Sequence, residues 1–127
     1  MNNIVLDTDI FVDYLRGFEK SQNYFKKIRD GEFIVYFSAI TEAELINGKE
    51  CKKIEKKNNI LEFISHFTKV SVNNEIAVKA GDFSREYNTE LPDSIIAATA
   101  FVMKATLITR NVADYKRINN LKIGLPY

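Results

Sequence analysis

The stretch NIVLDTDIF, residues 3–11, decides the fold. It contains a short apolar run that is followed directly by an acidic residue. Ile4, Val5 and Leu6 are too few for a helix but fit a strand that is buried on both faces, as a parallel sheet requires. Asp7 then falls at the carboxyl end of that strand. In open α/β sheets ligands bind at this edge, because the strand ends and helix starts leave a crevice there. The stretch therefore predicts an α/β fold with a functional site that begins at Asp7.

Strand-like and helix-like segments alternate along the rest of the chain. Four further segments have the β-branched or aromatic residues typical of strands: 33–37, 70–72, 106–109 and 121–123. Segments with apolar residues at helical spacing lie between them: 10–15, 19–30, 38–48, 49–67, 74–88, 92–103 and 112–118. Because strands joined by helices form parallel, right-handed crossovers, we expect a central parallel sheet of four to five strands.

The composition indicates which kinds of protein this chain can be. A chain of 127 residues with 46% hydrophobic content is expected to form one domain, 1–127, with a single core. The 18 Lys and Arg residues nearly balance the 17 Asp and Glu residues, so no strong general attraction to nucleic acid or membrane is predicted. The one cysteine, Cys51, cannot form an internal disulfide, and no apolar run approaches the ~20 residues that span a bilayer. These features favour a cytoplasmic protein without a membrane span.

Lysines are concentrated in the segment 49–57. They can form the solvated face of an amphipathic helix whose buried side carries Ile60, Leu61 and Ile64, or they can form a patch that steers RNA. The solvated face is the simpler interpretation. Because the net charge of the chain is close to zero, any contact with nucleic acid would have to be local.

Four acidic residues fall at comparable places in this architecture. Asp7 closes the first strand, and Glu44 lies in the helix after the second. Asp93 starts the most apolar helix, and Asp114 follows the strand at 106–109. In a parallel sheet these places lie around one edge. Two like charges ~4 Å apart repel by about 4 kcal/mol at an effective dielectric of ~20, which is a large part of a domain's ~5–15 kcal/mol stability. A divalent cation would offset this repulsion.

Each of these acids also has a purely structural interpretation. Asp7 can cap the helix that follows it, Glu44 can close a capping box with Thr41, and Asp93 suits the dipole of a helix's first turn. Asp114 can be a surface acid. Their joint placement nevertheless favours a common site. Because hard oxygen donors without His or Cys partners suit Mg²⁺ or Mn²⁺ better than zinc, we expect one of these two cations there.

Three polar residues next to the acids can orient metal ligands: Thr8, Thr109 and Asn111. Other acids have no evident common site: Asp9, Asp13, Glu42 and Asp82. Glu42 lies about 200° round a helix from Glu44, so only one of the two should face the cluster. The single histidine, His66, lies late in an amphipathic helix, and therefore a Ser-His-Asp or Cys-His site is not supported.

Four segments together carry a resemblance to a known family: VLDTDI at 5–10, ITEAELING at 40–48, DSIIAATA at 93–100 and LITRNVADY at 107–115. In this order they resemble the PIN domain, in particular the VapC-type toxin ribonucleases of type II toxin–antitoxin systems. The resemblance covers essentially the whole chain. It implies a three-layer α/β/α sandwich around a parallel sheet, a homodimer, and a cognate antitoxin that blocks the cleft.

The resemblance also implies an activity and a site. The activity is Mg²⁺-dependent endoribonuclease cleavage of RNA, and the acidic site would comprise Asp7, Glu44, Asp93 and Asp114. Asp7 and Asp93 would hold the metal, while Glu44 and Asp114 would complete the coordination or position the attacking water. It is left open whether Asp9 joins the site, because that position in the family is often Asn or Ser.

Two other functions can be argued from the residues. The run Asp7-Thr8-Asp9 resembles the nucleophile and acid pair of haloacid-dehalogenase phosphatases, with Thr109 as a phosphate-binding hydroxyl, although no paired acids follow a later strand. A non-catalytic, receiver-like α/β module would bind a partner protein through the same edge of the sheet. Metal-dependent RNA cleavage that is lost with EDTA would separate the nuclease from this module.

Overall fold

Five parallel strands form one sheet in the computed structural model, which describes residues 2–127. They are β1 (Asn2–Leu6), β2 (Phe33–Ser38), β3 (Thr68–Val70), β4 (Thr106–Ile108) and β5 (Ile123–Gly124). The order across the sheet is β3-β2-β1-β4-β5, and every neighbouring pair is parallel. The predicted α/β fold with a parallel sheet is therefore confirmed, and β1 is its central strand.

Helices connect the strands and cover both faces of the sheet. They are α1 (Thr8–Leu15), α2 (Glu19–Arg29), α3 (Ala39–Ile46), α4 (Ile54–Ile64), α5 (Asn74–Tyr87), α6 (Leu91–Val102) and α7 (Val112–Tyr115), with a 3-10 helix at Lys49–Lys52. Within residues 2–127, no helix combines the length and the apolar composition needed to cross a membrane.

The alternation of side chains along β1 divides the interior into two hydrophobic cores. Ile4 and Leu6 point to one face and pack with residues of α1, α2 and α4, whereas Val5 points to the other face and packs with α5 and α6. The sheet is therefore buried on both faces, as the uninterrupted apolar run in β1 predicted. This arrangement is the expected three-layer α/β/α sandwich.

The core on the α1 side is built from aromatic rings. Phe11 of α1 is fully buried, and its ring centroid lies 5.6–6.2 Å from those of Phe25, Phe37, Phe63 and Phe67. Most of these contacts are edge-to-face, which is a favoured arrangement of aromatic pairs. Phe11 therefore joins α1 to β2, to α2 and to the end of α4.

The core on the opposite face is built largely from small side chains. Ala97, Ala98 and Ala100 of α6 are fully buried, together with Ile96. Small residues let the backbone of this helix lie close to the sheet, so α6 is enclosed as its sequence predicted. The first turn of α6, which carries Asp93, is thereby held at the edge where β1 ends.

The predicted helix 49–67 is wrong in extent. The structure has a short 3-10 helix at Lys49–Lys52, an extended residue at Lys53 (φ −86°, ψ 118°), and then α4 over Ile54–Ile64. In the lysine-rich part only Cys51 packs against the core. One half-buried side chain does not anchor a long helix, and the chain therefore turns before α4 begins.

Three weak elements also differ in extent from their predicted ranges. The strand predicted at 70–72 is Thr68–Val70, because it pairs with the last residues of β2. The strand predicted at 121–123 is Ile123–Gly124, which pairs with the end of β4. The helix predicted at 112–118 is only Val112–Tyr115. In each case pairing or packing with a distant segment, rather than local composition, fixes the ends.

Candidate active site

Asp7 is buried at the point where the central strand becomes a helix. Its side chain is 4% exposed, and its backbone N–H donates to the Ile108 carbonyl of β4 at 2.9 Å. Oδ1 accepts a hydrogen bond from the Thr8 N–H at 2.8 Å, so Asp7 is the N-cap of α1. Oδ2 accepts from the Thr109 hydroxyl at 2.7 Å. Capping does not exclude a role at the site, because Asp7 lies where β1 ends, at the carboxyl edge of the sheet.

The environment of Asp7 disfavours its negative charge. Burial raises the pKa of the Asp7 carboxyl above its ordinary value, and the charge of Glu44 raises it further. Hydrogen bonds from Thr109, Thr8 and Tyr115 lower the pKa but do not reverse the shift. A buried carboxyl with such an environment at the carboxyl edge of a parallel sheet is a candidate functional group.

Glu44 is bonded to Thr8 rather than to its own helix. Its Oε1 accepts from the Thr8 hydroxyl at 2.7 Å, and the Thr8 Oγ1 lies 2.9 Å from the Thr41 Oγ1. The capping box considered for Glu44 is not formed, because α3 begins earlier and Ser38 is its N-cap, accepting from the Ile40 N–H at 3.2 Å. Thr8 thus links the exposed Glu44 to Asp7, which precedes Thr8 in the sequence.

Asp93 and Asp7 are connected through a tyrosine that the sequence did not single out. The Tyr115 hydroxyl donates to Asp93 Oδ1 at 3.2 Å and also lies close enough to Asp7 to lower the pKa of its carboxyl. Burial, together with the charges of Asp7 and Asp114, raises the pKa of Asp93. Burial and the two acids also raise the pKa of Tyr115, so this phenol stays protonated and acts as a donor. Its only sequence signal is an aromatic residue directly after Asp114.

Asp114 lies at the outer side of the same cluster. It is exposed on α7, and with Asp93 it lines an open cavity of about 240 Å³ that also contains Arg117. Asn111, which was expected to orient ligands, is exposed and contributes its backbone N–H, which donates to the Thr109 hydroxyl oxygen at 2.9 Å. Asn111 therefore positions Thr109, and Thr109 in turn positions Asp7.

Asp9 is brought into the acidic edge as well. Its Oδ2 accepts from the Arg110 N–H at 3.0 Å, while Oδ1 is buried without a hydrogen-bond partner among residues 2–127. Burial and the nearby charge of Asp7 raise the pKa of Asp9 to about 6. The Arg110 guanidinium is held by Asp13, with Nε 2.6 Å from Oδ2, and the Tyr127 hydroxyl donates to the same carboxylate.

Two of the acids without an evident common site, Glu42 and Asp82, are paired elsewhere. Glu42 pairs with Lys69 at 3.3 Å, which agrees with the prediction that only one of the two glutamates on α3 faces the site. Asp82 pairs with Arg85 at 3.1 Å on α5. These two residues are therefore suitable controls for substitutions of the acids at the carboxyl edge.

We expect the metal-free protein to lose stability as the pH rises from about 4 to about 6. The pKa of Asp9 is about 6 in the folded state against a reference value of 3.8, so the unfolded chain releases this proton first and ionisation favours unfolding. Below pH 4 the effect is absent. In thermal unfolding experiments in EDTA, the melting temperature of an Asp9→Asn variant should therefore rise relative to that of the unsubstituted protein as the pH increases from about 4 to about 6. The expected gain is a few degrees. A difference that does not change with pH would contradict the burial of Asp9.

The acids meet in pairs rather than in a single cage. No three Asp, Glu, His or Cys side chains within residues 2–127 lie close enough together to hold a metal ion as they stand. Three of the four acids accept a hydrogen bond from a protein hydroxyl: Asp7 from Thr109, Glu44 from Thr8 and Asp93 from Tyr115. The structure therefore contains no ready cage of these side chains, and the expectation that all four act in one site stays a prediction.

The residues present nevertheless fit a hard dication. Every donor is a carboxylate oxygen, and Asp9 Oδ1 is a buried acceptor without a partner within residues 2–127. Mg²⁺ is usually held by one or two carboxylates, with waters and substrate phosphates as the other ligands, so a cage of three side chains is not required. Asp7 and Asp93, which both act on the pKa of Tyr115, are the pair that we expect to supply such ligands.

The chain is similar to known proteins over nearly its whole length. Over 125 residues the chain is 30% identical to Ribonuclease VapC10 of Mycobacterium tuberculosis, with 94% of this chain and 90% of that protein covered. A toxin–antitoxin complex from Klebsiella pneumoniae contains a chain that superimposes with a TM-score of 0.80 at 27% identity over 98% of both chains. VapBC2 from Rickettsia felis, bound to a DNA fragment from their promoter, gives a TM-score of 0.82 at 25% identity over 97% of this chain and 98% of that one.

The family assignment follows from the extent of the match. Residues 4–121, which run from β1 to the segment before β5, match the family described as PIN domain. That range includes every acid at the carboxyl edge of the sheet. The chain therefore belongs to the PIN domain family.

Proposed function

We propose that this protein is a metal-dependent endoribonuclease and the toxin component of a toxin–antitoxin pair, with Mg²⁺ or Mn²⁺ as its cofactor. The observation that carries the proposal is the buried Asp7 at the end of β1, whose charge is coupled to those of Glu44, Asp9 and Asp93. Membership of the PIN family and the 30% identity to Ribonuclease VapC10 support RNA as the substrate. They favour the nuclease over a phosphatase of the haloacid-dehalogenase type.

The chain's own residues then have distinct roles in phosphodiester cleavage. Asp7 and Asp93 would hold the cation, which when bound supplies charge neutralisation at the scissile phosphate and lowers the pKa of a coordinated water. Thr109 and the Thr8 N–H fix the two oxygens of Asp7, and Tyr115 fixes Asp93. These bonds hold the carboxylates in place before substrate arrives.

Glu44 and Asp114 line two different cavities next to this pair. Glu44 is exposed and bonded to the Thr8 hydroxyl, so its second oxygen, Oε2, is available to accept a proton from the attacking water or to complete the coordination. Asp114 is exposed and lines a cavity together with Asp93, so it can complete the coordination of the metal or position the attacking water there. The two residues thereby define the sides of the cleft through which RNA would pass.

The remaining parts of the proposal concern partners and location. Structures similar to this chain include toxin–antitoxin assemblies, which supports a cognate antitoxin as a partner. We also propose a homodimer, one nuclease domain over 1–127, and a cytoplasmic location in which the free thiol of Cys51 stays reduced.

Chelation should separate this function from a non-catalytic one. We expect the purified protein to cut total RNA in the presence of MgCl₂ or MnCl₂, to lose this activity fully in EDTA, and to regain it when either metal is restored. An Asp93→Asn variant should not be rescued by either metal, whereas an Asp82→Asn variant should behave as the unsubstituted protein. Cleavage that persists in EDTA at the same bonds would show that the proposed metal chemistry is wrong.

A further inference from the structure

A second cavity adjoins the acidic edge between α1, α3 and α4. Its volume is about 520 Å³, and Glu44 forms one of its walls. We propose that this cavity is a subsite for the nucleotide next to the cleaved bond, with Arg16 and Lys56 contacting its phosphate and Asn59 contacting its base. This inference rests on the proposed nuclease function and extends it to the residues that bind the substrate.

The position of the cavity connects it directly to the catalytic acids. Glu44 Oε1 is bonded to the Thr8 hydroxyl at 2.7 Å, and the Thr8 N–H is bonded to Asp7 Oδ1 at 2.8 Å. A ligand in the cavity that touches Glu44 is therefore separated from Asp7 by a single residue. An RNA strand with its scissile phosphate at Asp7 would place a neighbouring nucleotide at this opening.

Two cations that line the cavity can contact a phosphate. Arg16 and Lys56 are both exposed, and neither has an ion-pair partner within 4.0 Å among residues 2–127. By contrast, Arg110 is held by Asp13 at 2.6 Å. Cations without partners next to a carboxylate-lined cleft are free to neutralise the backbone of a bound strand.

Glu50 is the other acid of the cavity besides Glu44, and its carboxylate packs over Gly48. A Cβ added at Gly48 would lie only 2.9 Å from the Glu50 carboxylate oxygens, so a larger residue there would displace this flexible side chain. Glu44 is bonded to Thr8 at the site. The other polar side chains that line the cavity are those of Arg16, Lys56 and Asn59.

The floor of the cavity suits a nucleobase. It is formed by apolar side chains of three helices: Val12, Leu15, Leu45 and Ile60. Leu15 is 41% exposed, so part of this floor faces open space. Asn59 offers both a donor and an acceptor at the rim, which is the chemistry that reads the edge of an unstacked base. A volume of about 520 Å³ lies within the ~300–1,000 Å³ range of ligand sites and excludes a paired duplex.

RNA binding by a variant that cannot cleave tests the proposal. The probe is a fluorescein-labelled ten-nucleotide RNA that spans a bond cut by the unsubstituted protein, and the background is Asp7→Asn. We expect the added pair Arg16→Gln and Lys56→Gln to weaken binding at least about tenfold. The salt dependence of binding should also fall, by about 0.7 in the logarithmic slope for each phosphate that the protein no longer neutralises. Fluorescence anisotropy at several salt concentrations measures both effects.

A matched control and an activity measurement complete the test. Lys104 and Lys122 line a separate cavity near β5, and Lys104→Gln with Lys122→Gln should leave RNA binding within about twofold. In the active protein, the Arg16→Gln, Lys56→Gln double substitution should raise KM with little change in kcat. Asn59→Ala should change which base is preferred beside the cleaved bond. The melting temperature should not change, because all three side chains are exposed.

Several outcomes would overturn the subsite. Suppose that the unsubstituted protein cuts RNA. If the Arg16→Gln, Lys56→Gln double variant then binds RNA as tightly as the Lys104→Gln, Lys122→Gln control, the nucleotide does not occupy this cavity. If the Arg16→Gln, Lys56→Gln double variant still binds RNA but no longer binds the purified antitoxin, the cavity is a binding site for a protein segment instead. If the unsubstituted protein cuts no RNA in any metal, the proposed function fails before the subsite is reached.

Discussion

Replacing Asp7 by asparagine is expected to abolish RNA cleavage while raising the thermal stability of the metal-free protein. Loss of one charge-stabilising group at a reacting centre lowers a rate by at least about a hundredfold. Stability should rise because the folded state holds a buried carboxyl whose pKa is raised by burial. Ionisation of this carboxyl therefore favours the unfolded chain, where the group is hydrated. Cleavage of a labelled RNA and the melting temperature in EDTA at pH 7 measure the two effects.

Asparagine is the informative substitution because it keeps the local hydrogen bonds. Its side-chain oxygen can accept from the Thr8 N–H, as Asp7 Oδ1 does at 2.8 Å, and its amide can donate to the Thr109 hydroxyl oxygen. The gain should diminish as the pH falls through the raised pKa of the Asp7 carboxyl, because the native group is then protonated and uncharged. Asp82→Asn, on the surface of α5, should change neither activity nor stability. An Asp7→Asn variant that melts below the unsubstituted protein at pH 7 would show that hydrogen bonding, rather than burial of charge, dominates at this position.

Replacing Phe11 by alanine is expected to lower the free energy of unfolding by about 3–5 kcal/mol. The ring is fully buried and makes aromatic contacts in the core on the α1 side, including one at 5.6 Å to Phe37. Its removal leaves a cavity between the sheet and α1 that rigid neighbouring rings cannot fill. Because a domain of this kind is stabilised by only ~5–15 kcal/mol, the variant should be close to unfolding at 37 °C. Urea denaturation at pH 7 measures the change.

Phe18 provides the matched aromatic control. Its side chain is 45% exposed, and its ring contacts that of Tyr127 at 5.6 Å. Phe18→Ala should therefore lower the free energy of unfolding by less than about 1 kcal/mol, in the range of surface substitutions. Similar losses in the two variants would contradict the assignment of Phe11 to the centre of the core.

The sequence was sufficient to locate Asp7 and the central strand because both depend on local pattern. An apolar run of three residues that ends in an acid can be buried on both faces only inside a parallel sheet, and the end of such a strand lies at the ligand-binding edge. The enclosed helix α6 was predictable for the same reason, since its alanines and isoleucines leave no polar face. The positions of Asp7 and Asp93 in the fold followed from these two elements.

The partners of the acids could not be predicted, because they come from distant parts of the chain. Glu44 was compatible with a local capping box, yet it bonds to Thr8, which lies 36 positions away in the sequence. Tyr115 bonds to Asp93 across 22 positions. Nothing in the local pattern distinguishes such a tyrosine from an ordinary core residue. Hydrogen-bond partners that are set by the packing of whole helices require the three-dimensional structure.

The bonds around Asp13 link Tyr127 to the geometry of the acidic edge. Tyr127 donates to Asp13, Asp13 holds the Arg110 side chain, and the Arg110 N–H donates to Asp9 beside Asp7. Displacing Tyr127 would remove one of the two residues that hold the Asp13 carboxylate, and would thereby loosen the loop that follows β4. The shape of this edge therefore depends on a tyrosine that lies outside the cluster of acids.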